Sequence, residues 1–123
     1  MSEILSAKII QDLTAPFLEK GFSFEYTYEK GGDSSCVYIY RFRKGKDFFD
    51  WRETSGTYEI HLVAYVNGEY VFPKMEKLYA KETRAFKIRN FFKKFTIDEK
   101  RAFFAKLLNK ELENSTDFFG IKL

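Results

Sequence analysis

The chain has 123 residues and a mass of 14.6 kDa, the size of a single domain with one core, so residues 1–123 are read as one unit. Hydrophobic residues at 45% and charged residues at 32% exclude a disordered chain, and no apolar run approaches the about 20 residues that span a bilayer. The net charge of +3 is too small to mark a nucleic-acid binder by itself.

Residues 3–20 are predicted to be helical, because Leu5, Ile9, Leu13 and Phe17 recur every four residues with Ile10 beside them. Ser2 can cap the start, and Gly21 suits the left-handed position that stops a helix. Pro16 conflicts with that pattern, since it cannot donate to the carbonyl of Asp12. The expectation is a kink there, or a break with Thr14 capping a short second piece.

Residues 22–29 alternate without exception, aromatic at 22, 24, 26 and 28 and polar between, which is the mark of a half-buried strand. A turn cluster at 31–35 leads to a second strand over 36–44. Gly45-Lys46 reads as a two-residue hairpin turn into a third strand over 47–52. A turn at 53–56 leads to a fourth strand over 57–66, and Asn67-Gly68 folds a fifth, 69–72, back onto it before Pro73. A helix is predicted over 74–95, with Leu78, Ala85, Ile88, Phe92 and Phe95 on one stripe flanked by Tyr79 and Phe86. Thr96 and Glu99 have capping-box spacing and open a second helix, whose apolar side is Phe104, Leu107, Leu108 and Leu112. The tail from Phe118 to Leu123 is apolar enough to pack onto the body.

The turn lengths set the register. They place Tyr40 opposite both Tyr26 and Trp51, Phe42 opposite Phe49, and Val66 opposite Glu69. A four-residue loop at 53–56 places Phe49 opposite Ile60 and Trp51 opposite Tyr58. One face of the sheet then carries Phe22, Phe24, Tyr26, Tyr28, Tyr38, Tyr40, Phe42, Phe49, Trp51, Tyr58, Ile60, Leu62, Ala64 and Val71, and the helices should cover it. The fold class is therefore α+β: an N-terminal helix, a five-stranded antiparallel meander, and two C-terminal helices packed on the aromatic face. On the opposite face one row holds Glu25, Arg41, Asp50 and Glu59, and the next holds Ser23, Arg43, Phe48 and His61. Val63, Tyr65, Tyr70 and Phe72 make an apolar corner, which the tail residues Phe118-Phe119 could cover.

The favoured reading is a non-enzymatic module that binds an unidentified protein partner through Arg41, Arg43, Phe48, Asp50, Arg52, Glu59, His61, Tyr65, Tyr70 and Phe72, since interface cores favour Tyr, Phe and Arg. Two alternatives are weighed. Residues 74–94 hold 8 Lys/Arg against 2 Glu, so Lys77, Lys81, Arg84, Lys87 and Lys94 could follow a nucleic-acid backbone. His61 is the single histidine, and with Asp50 and Glu59 on its face it could serve a hydrolase-type site. One His and one Cys cannot build a structural zinc site, and neither a metal nor a cofactor is expected. The lone Cys36 suits a reducing compartment, and Met1-Ser2-Glu3 has no secretory order, so a cytoplasmic location with no membrane role is expected.

Overall fold

In the computed structural model, which describes residues 2–30, 36–54, 59–89 and 96–123, the first helix breaks where Pro16 demands it. Helix α1 spans Ser2–Leu13 and a short α2 spans Ala15–Glu19. Thr14 sits at the junction, but its side chain does not cap α2. Its hydroxyl donates back to the carbonyl of Ile10 at 2.7 Å, a local bond that competes with helix continuation. Gly21 (φ 96°) ends α2, and the Phe22 amide reaches back to the Phe17 carbonyl at 3.1 Å. The buried side of α1 is Ala7 and Ile10; Leu5, predicted on the apolar stripe, is exposed.

The five strands are β1 (Ser23–Lys30), β2 (Cys36–Lys44), β3 (Asp47–Thr54), β4 (Glu59–Val66) and β5 (Glu69–Val71). They form one antiparallel sheet in the order β1-β2-β3-β4-β5. Tyr26 lies opposite Tyr40, Tyr40 opposite Trp51, Phe42 opposite Phe49 and Val66 opposite Glu69, as the turn lengths require.

The β3–β4 pairing differs from expectation. Phe49 faces Ala64 rather than Ile60, and Trp51 faces Leu62 rather than Tyr58. The slip is by an even number of residues, so every side chain keeps its face while the rows across the sheet change partners. Its cause is Glu53. Instead of turning, β3 continues through it, and Glu53 is buried on the helix side. There it accepts from Trp51 Nε1 at 3.0 Å and from Arg101 Nε and Nη2 at 2.8 and 2.7 Å. The turn cluster expected at 31–35 and residues 55–58, which include the second half of the turn expected at 53–56 and Tyr58, lie outside the described residues.

The core is aromatic. Phe17 packs at 5.1 Å from Phe49 and 4.9 Å from Phe118, Phe42 stacks on Phe49 at 4.6 Å, and Trp51 meets Phe104 at 4.9 Å. Edge-to-face and offset pairs of this kind add to the area they bury. Three residues assigned to the core are exposed: Tyr26, Tyr28 and Val71. All belong to edge strands, at the margins of the area where the helices pack.

The predicted helix over 74–95 is two elements, α3 (Met75–Leu78) and α4 (Ala80–Arg89), with residues 90–95, including Phe92 and Phe95, outside the described residues. The chain leaves helical geometry at Tyr79 (φ −118°, ψ 50°). Leu78, Ala85 and Ile88, predicted to face inward, are exposed. The inward side carries Met75, Thr83 and Phe86, because the Phe86 ring stacks on Phe103 at 4.2 Å and turns α4 about its axis. Helix α5 (Ile97–Asn114) opens with the Thr96–Glu99 capping box and buries Leu107, Leu108 and Leu112. A small hairpin, β6 (Asp117–Phe118) and β7 (Ile121–Lys122), turns at Phe119 and Gly120, both at positive φ as a type I′ turn needs. It buries Phe118 and Ile121 beside Phe17 and Phe49, on the helix side of the sheet.

Candidate functional site: the open sheet face

Alternation sends Glu25, Arg41, Asp50 and Val63 to the side of the sheet away from the helical core, and Ser23, Arg43, Phe48, Tyr65 and Tyr70 to the neighbouring row. The two rows are joined by one guanidinium. Arg41 grips Asp50 with two bonds, Nε–Oδ1 at 2.7 Å and Nη2–Oδ2 at 2.9 Å. Its Cζ also lies 3.9 Å from the centre of the Phe48 ring, a cation–π geometry that fixes the plane of the guanidinium. The hydrogen bonds that Arg41 donates to Asp50 raise its already high pKa further, so its charge is permanent. Asp50 itself is fully buried, with Arg52 Nη2 a further 3.7 Å from Oδ2. Arg43 pairs with Glu25 at 3.0 Å, and its Cζ lies 5.4 Å from the Phe48 ring centre.

From Phe48 an aromatic row runs to the sheet edge. Phe48 stacks on Tyr65 (5.2 Å, 17°), Tyr65 meets Tyr70 edge-on (5.0 Å, 63°), and Tyr70 leads to Phe72 at 6.4 Å. Exposure rises along the row, from a buried Phe48 to Tyr70 at 59% and Phe72 at 61%. The tail does not cover this corner, since Phe118 packs on the opposite side of the sheet. Ile39, Phe48, Asp50 and Val63 are nonetheless buried here, apart from the main core cluster. The open face therefore has a packed floor of its own. Arg52 Nε is buried and has no acceptor among the described residues.

Glu59 and His61 are not where the expected register put them. Val63 takes the place of Glu59 beside Asp50, and Tyr65 takes the place of His61 beside Phe48. His61 lies opposite Arg52, exposed, with Nε2 3.3 Å from Glu59 Oε2. Asp50 is committed to Arg41 and Arg52 and does not orient the imidazole, so the His61–Asp50–Glu59 constellation is not formed. Among the described residues no group of three or more His, Cys, Asp or Glu is arranged to hold a metal ion. Lys77, Lys81, Arg84 and Lys87 are all exposed, but the break at Tyr79 divides them between α3 and α4, and Lys94 lies outside the described residues.

Two features escape a reading by sequence. One is the Glu53–Arg101 pair, joined by Ser6, whose hydroxyl accepts from Arg101 at 3.2 Å. Its signal is an arginine at the head of the α5 stripe that continues through Ala105, Leu108 and Leu112. The other is a cavity of about 360 Å³ between the start of β4 and helices α3, α4 and α5, floored by Ile60, Met75, Phe86, Phe103 and Phe104. Thr83 lines it, with a buried hydroxyl that has no partner among the described residues. No described helix is long and apolar enough to cross a membrane. Comparison of the chain with protein-family models, with curated proteins and with solved structures finds no match in any of the three.

Proposed function

We propose that the protein is a non-enzymatic interaction module that binds a protein partner through the open face of its sheet. The observation that carries this reading is the continuous row of Arg41, Phe48, Tyr65, Tyr70 and Phe72, anchored at one end by the buried Asp50 and increasingly exposed toward the other. Residues of these types dominate binding energy when a partner seals them from water. A preset arrangement also loses little side-chain entropy on binding.

The ring geometry favours a protein over a nucleobase. Base stacking needs free ring faces, yet Phe48 has Arg41 over its ring and is stacked with Tyr65. A protein surface can instead meet ring edges, hydroxyls and guanidinium donors. The lone Cys36 further supports a reducing cytoplasm as the place where the module works.

The test is affinity capture from the native host with the full chain and two variants. Arg43→Glu and Phe72→Ser change exposed side chains without touching the Arg41–Asp50 bonds. A partner held by the unaltered chain and lost by both variants, with circular dichroism unchanged, is the expected result. Equal recovery with all three proteins overturns the reading.

A further inference from the structure

The two edges of the five-stranded sheet are unlike each other. At one margin β5 is three residues long and runs into Pro73, two of the devices that keep an edge from pairing with another chain. At the other, β1 is eight residues long, about 26 Å at the usual rise, and its ladder to β2 runs from Ser23 to Lys30 without a bulge. It contains neither Pro nor Gly. Among the described residues no strand pairs with its outer side, which therefore carries a row of backbone donors and acceptors that none of them engages in a ladder.

Phe24 and Tyr26 lie on the apolar stripe of this strand, and Tyr26 is 46% exposed, so the described helices leave its ring partly in water.

We propose that a second copy of this chain completes the edge: two β1 strands pair antiparallel about a twofold axis at Tyr26, joining two sheets into one of ten strands. Charge selects this register. With Tyr26 opposite its own counterpart, Glu25 faces Thr27 of the other copy and Glu29 faces Ser23. Centring the pair on Glu25 sets that carboxylate against itself, and centring it on Thr27 sets Glu25 against Glu29; like charges directly opposed are unfavourable. Centring on Phe24 or Tyr28 keeps the carboxylates apart but uses only part of the strand. Two registers pair seven of the eight residues, those centred on Tyr26 and on Thr27, and of these only the Tyr26 register opposes no like charges. It also brings Phe24 against Tyr28 across the junction, where the rings cover one another.

Because Tyr26 meets Tyr26, the helices of both copies lie on the same side, and the two open faces become one. The arrangement is isologous and closes, leaving only the short β5 edges outside, so it gives a dimer rather than a fibre. It does not depend on the partner reading above, whose residues run from β2 to Phe72, just past β5.

Thr27 provides the test, because it is exposed and in this register stands opposite Glu25 at two symmetric positions. Sedimentation velocity on the full chain should show a concentration-dependent species of twice 14.6 kDa. Thr27→Glu should weaken the dimer by about 2- to 30-fold, and Thr27→Lys should leave it as tight or tighter. The gap between the two should narrow in high salt. Circular dichroism of each variant checks that the monomer is still folded. A mass that stays at the monomer value at every concentration overturns the proposal. So does an equal response of the dimer to the two substitutions.

Discussion

Glu53 and Arg101 carry opposite charges into a nearly dry site, joined by bonds of 2.8 and 2.7 Å and flanked by Trp51 Nε1 and Ser6. Burial works against the arginine's charge, but its hydrogen bonds to Glu53 and the nearby carboxylate outweigh that and raise its pKa. Breaking such a pair on one side strands the other charge, at about 3–5 kcal/mol, whereas replacing both by apolar groups of similar size is often neutral. Glu53→Gln and Arg101→Met are each expected to lower unfolding free energy in urea by about that amount. The double variant, which leaves no unpaired buried charge but keeps a buried amide, should recover part of it; a double loss equal to the sum of the two would show that the groups do not act as a pair. Beside them, burial and then the Glu53 charge raise the Tyr40 hydroxyl well above its usual 10.0. An unfolded tyrosine ionises near pH 10 while folded Tyr40 keeps its proton, so the native state binds the extra proton and stability must fall as pH rises. Its contribution is intact below pH about 10 and declines above, by up to about 1.4 kcal/mol per pH unit. Urea midpoints measured between pH 9 and 11 should drop less steeply for Tyr40→Phe than for the unaltered chain. Parallel declines would mean that other groups carry the alkaline loss.

At the scale of elements, what could be read in advance was whatever the local chain decides. Asn67-Gly68 takes the two positive φ values that its turn needs, 53° and 81°, and the break before Pro16 follows from a missing donor. The capping box at Thr96 closes on Glu99 as its spacing requires. What could not be read depends on residues far along the chain. Glu53 looks like the first residue of a turn until Arg101, 48 residues later, draws it into the core. The buried side of α4 is chosen by Phe103 of the next helix, through the stack on Phe86, and not by the apolar count along α4 itself. The candidate face was legible to the same degree. The Arg41–Asp50 pair, Phe48 and the Tyr65–Tyr70 corner follow from parity and from turns of known length. His61 and Glu59 do not, because their row depends on the β3–β4 register, which differs from expectation once β3 runs on through Glu53.

Over the molecule as a whole, charge is lopsided: residues 1–40 hold 3 Lys against 6 Asp/Glu, and residues 74–94 hold 8 Lys/Arg against 2 Glu. Whether that asymmetry binds nucleic acid is a question of how many cations line up. Lys81, Arg84 and Lys87 follow one another at intervals of three on the exposed side of α4, while Lys77 is on the far side of the break. Glu82, between them, is tied to Lys110 of α5, and that hydrogen bond holds its carboxyl below the usual range. Three aligned cations would release counterions from about three phosphates of a single strand, a loss of affinity of about 20-fold between 50 and 200 mM salt. A surface that merely keeps the protein dispersed would show weak retention and no such slope. The expected outcome is that Lys81→Glu with Arg84→Glu leaves partner capture unchanged, and that a single-stranded nucleic-acid column retains neither protein at 50 mM salt. Retention with the steep slope, abolished by that pair of substitutions and indifferent to Arg43→Glu and Phe72→Ser, would move the function from the sheet to the helices. The two surfaces lie on different elements, so one set of variants decides between them.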